Sequence, residues 1–135
     1  MATTNATIAL SSDITDSPLS VSNQSTLWTA GTTTGMDAMT SVTKVLESTN
    51  QVDLITTGSV STTHAYVYIN IPDTDHTRHF RIGIGTAGGG SESDAEEIGR
   101  LYGGDWMFIP WDKDDDIMIT PSDANKMTVE YQVFS

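Results

Sequence analysis

The residues best equipped for chemistry sit in three short runs. His76-Thr-Arg-His79, with Asp73 and Asp75 just before it, brings imidazoles and carboxylates into one turn, the donor types of a mononuclear metal site. Spacing i to i+3 at a turn and strand start does not converge two imidazoles as a helical pair would. A solvated turn is the simpler reading, with His64 and His79 as cross-strand neighbours. Asp112-Lys-Asp114-Asp-Asp116 resembles the opening of a calcium loop, which makes Asp112, Asp114 and Asp116 weak Ca²⁺ candidates. Position six of that loop is Ile117 where a glycine is needed, and Ile117-Met-Ile119 reads as strand. A charged turn that guards strand edges fits better. Gly83-Ile-Gly85-Thr-Ala-Gly88 satisfies the Gly-x-Gly-x-x-Gly spacing of dinucleotide sites, yet no helix can be read opening at those glycines. The chain continues instead with more glycine and four carboxylates, Glu92, Asp94, Glu96 and Glu97, which would repel a pyrophosphate.

No catalytic residue stands out. Gly-x-Ser-x-Gly is absent, Ser and Thr are too abundant for any one to be singled out, and the carboxylates fall mostly at turns where water keeps them ionised. With Cys 0 the chain has no disulfide, thiolate zinc site or cysteine nucleophile. The expectation is a protein without enzymatic activity or cofactor. Trp106, Phe108 and Trp111, with Tyr102 nearby, are the remaining candidates. Together they could form a sugar-stacking platform, but core packing or contact with another subunit is the commoner role for such a cluster.

The elements that must position these residues are strands. Thr 21 and Ser 14 make up about a quarter of the 135 residues, and a β-branched hydroxyl residue suits the solvent face of a pleated sheet. Six Lys and Arg against eighteen Asp and Glu give a net charge of −12. A nucleic acid would have to bind against that field, without the clustered cations that release its counterions. The chain lacks a positively charged start with a long apolar run, and no stretch approaches a membrane span of ~20 apolar residues. Synthesis in the cytoplasm and no membrane contact are expected.

Strand patterns recur along the chain. Residues 7–10 and 18–30 read as short strands, 41–48 and 51–57 as two more, and 62–71 and 77–85 as a hairpin across the Pro72-Asp-Thr-Asp75 turn. Within the hairpin, Ala65, Val67, Ile69 and Ile71 share the core face, and Tyr66, Tyr68 and Asn70 the other. Gly83 and Gly85 fall opposite Ile82 and Ile84, where another backbone can approach. A flexible acidic loop covers 88–97, and strands come after it at 98–102, 106–111, 117–120 and 126–134. The class is all-β, an antiparallel, jelly-roll-like sandwich of about eight short strands. An extended segment over 1–17 is expected to precede a single sandwich domain over 18–135.

The second half of the chain also carries a resemblance. Ala65-Tyr-Val-Tyr-Ile-Asn70, Phe80-Arg-Ile-Gly-Ile84, Ile98-Gly-Arg-Leu-Tyr-Gly-Gly-Asp-Trp-Met-Phe-Ile-Pro-Trp-Asp112 and Val129-Glu-Tyr-Gln-Val-Phe134 together resemble the layout of small virion accessory proteins of tailed bacteriophages. The resemblance covers residues 62–135. It implies a β-sandwich on the capsid surface that decorates or cements the shell by binding the major capsid protein. A tail, baseplate or fibre component that attaches to host glycans is the alternative. Symmetric shell sites favour closed homo-oligomers, a trimer first and a dimer second, and high negative charge keeps such a protein soluble before assembly. The polar N-terminal segment would reach the shell protein or a neighbouring subunit.

Overall fold

The computed structural model describes residues 3–13, 19–29, 31–60, 64–86 and 95–135, and it divides the chain into two compact units, 1–38 and 39–135. The boundary expected at 17/18 differs from this division at 38/39. Residues 5–12 form a strand rather than an extended lead, because their alternating Thr, Ser and Ala pair with residues 19–26.

In the N-terminal unit, β1 (Asn5–Ser12) and β2 (Leu19–Thr26) form an antiparallel ribbon running from the Asn5–Thr26 pair to the Ser12–Leu19 pair. Below the ribbon the Leu27 amide donates to the Thr4 carbonyl at 2.9 Å and the Met36 amide to the Leu27 carbonyl at 2.9 Å. The Thr4 hydroxyl donates to the Met36 carbonyl, also at 2.9 Å, so residues 4, 27 and 36 are laced together and Leu27 and Met36 are buried. Gly31, with φ +71°, makes the reversal that lets Trp28 bridge Gly35.

The C-terminal unit holds β3 (Met39–Leu46), β4 (Val52–Ile55), β5 (His64–Asn70), β6 (His79–Thr86), β7 (Ala95–Tyr102), β8 (Trp106–Asp112), β9 (Asp115–Pro121) and β10 (Met127–Phe134). One sheet has the order β3-β10-β5-β8, the other β4-β9-β6-β7, and every pairing is antiparallel. First pairs with last, second with seventh, third with sixth and fourth with fifth, which is the winding of a jelly roll. The expected all-β sandwich of about eight strands is what the unit shows. Its core lies between the sheets, with Ala65, Val67, Ile69, Val129, Val133 and Trp111 from one and Leu54, Phe80, Ile82, Ile117 and Ile119 from the other. Lys44 reaches across on the inner side, where its ammonium donates to the carbonyls of Asp53 at 3.2 Å and Leu54 at 3.3 Å. Burial raises the Tyr131 phenol above its ordinary value.

Residues 62–85 are not a hairpin. β5 and β6 belong to different sheets, because the connection from Ile71 to Arg78 is too long for a tight turn and carries the chain across the sandwich. Arg78 locks this crossover. Its guanidinium lies 2.5 Å from Asp73 and its Nε 3.2 Å from Asp75, the latter as an ion pair not aligned for a hydrogen bond, and it also donates to the Lys126 carbonyl.

These contacts give the unit an acid-sensitive stability. The Asp75 amide, then Arg78, hold the Asp73 carboxyl below its ordinary value, and the Thr77 hydroxyl and amide, then Arg78, do the same for Asp75. A depressed folded-state value means stability present above the ordinary Asp value of about 3.9 and lost as pH falls through the folded values. Burial, then Arg100 and Arg81, depress the His79 imidazole, so a shallower loss begins just below about 6.5, where an unfolded histidine takes its proton. Urea unfolding from neutral pH downwards should show both phases. The Arg78→Ala variant should lose part of the steeper one, the Asp75 amide and the Thr77 hydroxyl and amide keeping the rest, and an unchanged profile would remove Arg78 as a contributor.

Candidate functional site

The outer face of the β3-β10-β5-β8 sheet is set by the pairing register. Residues opposite one another share a face, so the inward run Ala65, Val67, Ile69 forces Tyr66, Tyr68 and Asn70 outward. Three rows cross all four strands. Met39, Phe134, Tyr66 and Pro110 make the first, Ser41, Gln132, Tyr68 and Phe108 the second, and Thr43, Glu130, Asn70 and Trp106 the third. At ordinary strand spacing the grid is roughly 15 Å on a side.

Its aromatic rings touch one another. Tyr66 stacks on Phe108 with centroids 5.4 Å apart and planes 4° from parallel, Phe134 approaches Phe108 at 6.4 Å, and Tyr68 lies 6.1 Å from Trp106. His64 meets the Tyr66 ring edge-on at 4.9 Å. Such pairs hold the rings in fixed orientations, so the face is prearranged before any partner arrives. Trp106 is 49% exposed and Met39 61%, values that mark the face as open to a partner. In a chain with eighteen carboxylates, the three rows contain a single one, Glu130, which accepts a hydrogen bond from the Asn70 amide at 3.2 Å. Aromatic enrichment with charge depletion is the composition of a protein-binding surface.

The opposite sheet differs. Met118 and Thr120 point away from the core yet are buried, with the Gln51 amide against the Met118 sulfur and β7 passing close over Gly83, where an added Cβ would lie 3.1 Å from the Glu96 carbonyl. The close backbone approach expected at that glycine is present.

The aromatic candidates separate. Trp111 is core, 1% exposed, with its indole N–H donating to the Asp115 carbonyl at 2.8 Å, while Trp106 and Phe108 face outward from the same strand, opposite Asn70 and Tyr68. Tyr102 lies on the other sheet, against His79 at 5.0 Å, and so is no part of a platform with them. Tyr66, Tyr68, Phe134 and Met39 complete the outer face. The alternation of β5 places the two tyrosines, but only the cross-strand register brings them to Phe108 and Phe134.

The calcium candidates do not converge. Asp116 is buried and turned to accept the Thr57 amide at 2.7 Å, while Asp112 and Asp114 are exposed and Asp112 accepts the Asp114 amide. His64 and His79 are not neighbours either, since His64 pairs with Asp112 and His79 with Tyr102. Among the described residues no group of three His, Cys, Asp or Glu side chains is placed to hold a metal ion. Gly83 and Gly85 lie inside β6, and Gly88 lies outside the described residues. Of the predicted acidic loop over 88–97, residues 95–97 begin β7 and the rest up to 94 lie outside them too.

Fold and face together define an acidic jelly-roll sandwich with an open aromatic sheet face. No protein-family model matches the chain, and no curated protein matches it. Among solved structures it is similar to the Yersinia pseudotuberculosis-derived mitogen (YPM), with 12% identity, a TM-score of 0.45, and coverage of 72% of this chain and 85% of that one. A likeness of this degree carries nothing over from that protein.

Proposed function

We propose that this is a non-enzymatic structural protein of a tailed-phage virion, which decorates or cements the capsid by binding the major capsid protein. The observation that carries the reading is the carboxylate-poor aromatic face of β3, β10, β5 and β8, joined to the phage-like layout of residues 62–135. Trp106 and Phe108 are its anchors. Elsewhere the strong negative charge keeps unassembled copies soluble and apart from the packaged genome.

Quantitative mass spectrometry of purified virions tests the reading, with a copy ratio near unity against the major shell protein as the expected result. Complete absence from virions would overturn it. Trp106→Ala should weaken binding to undecorated shells by roughly thirtyfold, the ~2 kcal/mol of an interface hot spot. The pairing of Asn70 and Glu130 beside Trp106 supports a second reading, attachment to a host glycan by a tail or fibre component. A handful of copies per particle, with glycan binding that Trp106→Ala abolishes, would decide for it.

A further inference from the structure

Of the six cationic side chains, Lys44 alone stands on the inward side of a strand, opposite Val129 of the core. A cation turned into a sandwich calls for a carboxylate beside it, and the chain has eighteen. Among the described residues none lies within ion-pair distance of Lys44. Its ammonium has the carbonyls of Asp53 and Leu54 instead. Asp53 pairs with Met118, which faces away from the core, so it gives the inner side its carbonyl and not its carboxylate.

Beside this ammonium, between β3 and β4 at the edges of their sheets, lies a cleft of about 240 Å³. Leu54, Ile55 and Val133 give it apolar walls, and Thr40 and Thr56 are exposed at its rim. Tyr131 is the other polar group inside. It lies two residues beyond Val129, which makes it the diagonal neighbour of Lys44 on the same inward face. Its side chain is 8% exposed, its hydroxyl has no hydrogen-bond partner among the described residues, and the surface it keeps opens into the cleft. Burial alone acts on that phenol. An unpaired hydroxyl and a cation without a counter-charge each cost stability in such a place. Guarding a sheet edge accounts for the contacts of Lys44 with β4, but not for an open cleft beside it with a phenol left unpaired.

We propose that the cleft between β3 and β4 binds a small organic monocarboxylate, its carboxylate accepting hydrogen bonds from the Lys44 ammonium and the Tyr131 hydroxyl and its short apolar body lying against Leu54, Ile55 and Val133. An ammonium carries three donors, and the two carbonyls leave one for the ligand. A dianion is disfavoured, because one ammonium cannot neutralise it in a chain of net charge −12. The volume is below the roughly 300–1,000 Å³ of pockets for drug-sized molecules, which keeps the apolar body short. The site lies on the other side of the sheet from the aromatic rows and is independent of the capsid reading.

Hexanoate is the probe, followed through the backbone amide shifts of the full chain. Saturable shifts around Lys44, residues 54–56 and Tyr131 are expected, with hexanol about tenfold weaker for want of a charge-assisted hydrogen bond. Tyr131→Phe removes no hydrogen bond from the free protein, so it should keep the wild-type unfolding midpoint while weakening hexanoate about fivefold. Lys44→Met should erase the preference for hexanoate over hexanol, and if that variant does not fold, Tyr131→Phe decides alone. Absence of saturable shifts would overturn the proposal. Equal binding of hexanoate and hexanol would do the same, leaving an apolar crevice without an anion site. Shifts at Tyr68, Trp106 and Phe108 in place of the cleft would also count against it, as would a Tyr131→Phe protein that loses stability but keeps its affinity.

Discussion

Replacing Trp111 with Ala should lower the unfolding free energy by about 3–5 kcal/mol, whereas Trp106→Ala, five residues earlier on the same strand, should change it by no more than about 0.5 kcal/mol. The contrast comes from which side of β8 each indole occupies. Trp111 sits in the sandwich at 1% exposure, beside Ala65 in the pairing register, and its removal leaves a large cavity between sheets whose strands cannot collapse independently. It also strands the Asp115 carbonyl that accepts its indole N–H at the tight β8–β9 turn. Trp106 is half in water already and lies tilted against the Tyr68 ring on the open face. For a domain of this size the Trp111 change corresponds to a fall in Tm on the order of 10 °C. Denaturant titration with matched m-values would measure both. Equal losses would mean that Trp106 is structural and that the outer face is not a surface kept for a partner.

That contrast also marks where sequence reading ends. In β5 the alternation Ala65, Val67, Ile69 against Tyr66, Tyr68, Asn70 has large amplitude, so its two faces are legible from residue type alone. In β8, Trp106-Met-Phe-Ile-Pro-Trp111 is apolar at every position, and a period of two has nothing to alternate with. Only pairing to β5 shows that Met107, Ile109 and Trp111 share the face of Ala65, while Trp106 and Phe108 share that of Tyr68. Pro110 does carry local information, since proline suits an edge strand, which β8 is. Strand partners are less legible still. β5 and β6 succeed one another across a Pro-Asp turn and read as a hairpin, yet in this winding they lie in opposite sheets, because burial of both apolar faces is satisfied between sheets. Likewise the run Asp112 to Asp116 reads as a solvated acidic turn. That Asp116 alone turns inward depends on Thr57, 59 positions away, for which no local pattern exists. At the N-terminus the alternation of Thr with Ser and Ala is too weak in hydrophobic contrast to announce a ribbon with a defined register.

The second large effect is expected from the smallest change, Gly103→Ala. Gly103 and Gly104 form the turn between β7 and β8, closed by the Asp105 amide on the Tyr102 carbonyl and by the Tyr102 amide on the Asp105 carboxylate. Gly104 takes φ +86°, so it serves the turn's backbone, but Gly103 serves a contact. A Cβ there would lie 2.7 Å from the carbonyl oxygens of both Asp73 and Asp75, closer than carbon and oxygen can approach. Those carbonyls cannot easily retreat. Arg78 ties the Asp73 and Asp75 side chains, each aspartate accepts an amide two residues on, and the Gly104 amide and Asp105 carbonyl bracket Ile71 at the head of the same crossover. One methyl group must therefore displace either the turn or the crossover that passes the chain between sheets, at a cost of about 1–3 kcal/mol for overpacking. The effect should also travel. Because β8 begins at Trp106, directly after the Asp105 carbonyl that binds the Ile71 amide, a displaced turn shifts Trp106 against Asn70 and disturbs the aromatic rows. Gly103→Ala should then weaken the proposed binding to shells as well as stability, while Gly58→Ala, where an added Cβ meets nothing, should leave both nearly unchanged. Thermal unfolding and shell binding measured on the two variants would check this, and a fully stable Gly103→Ala protein would show that the crossover yields where its ion pairs say it should not.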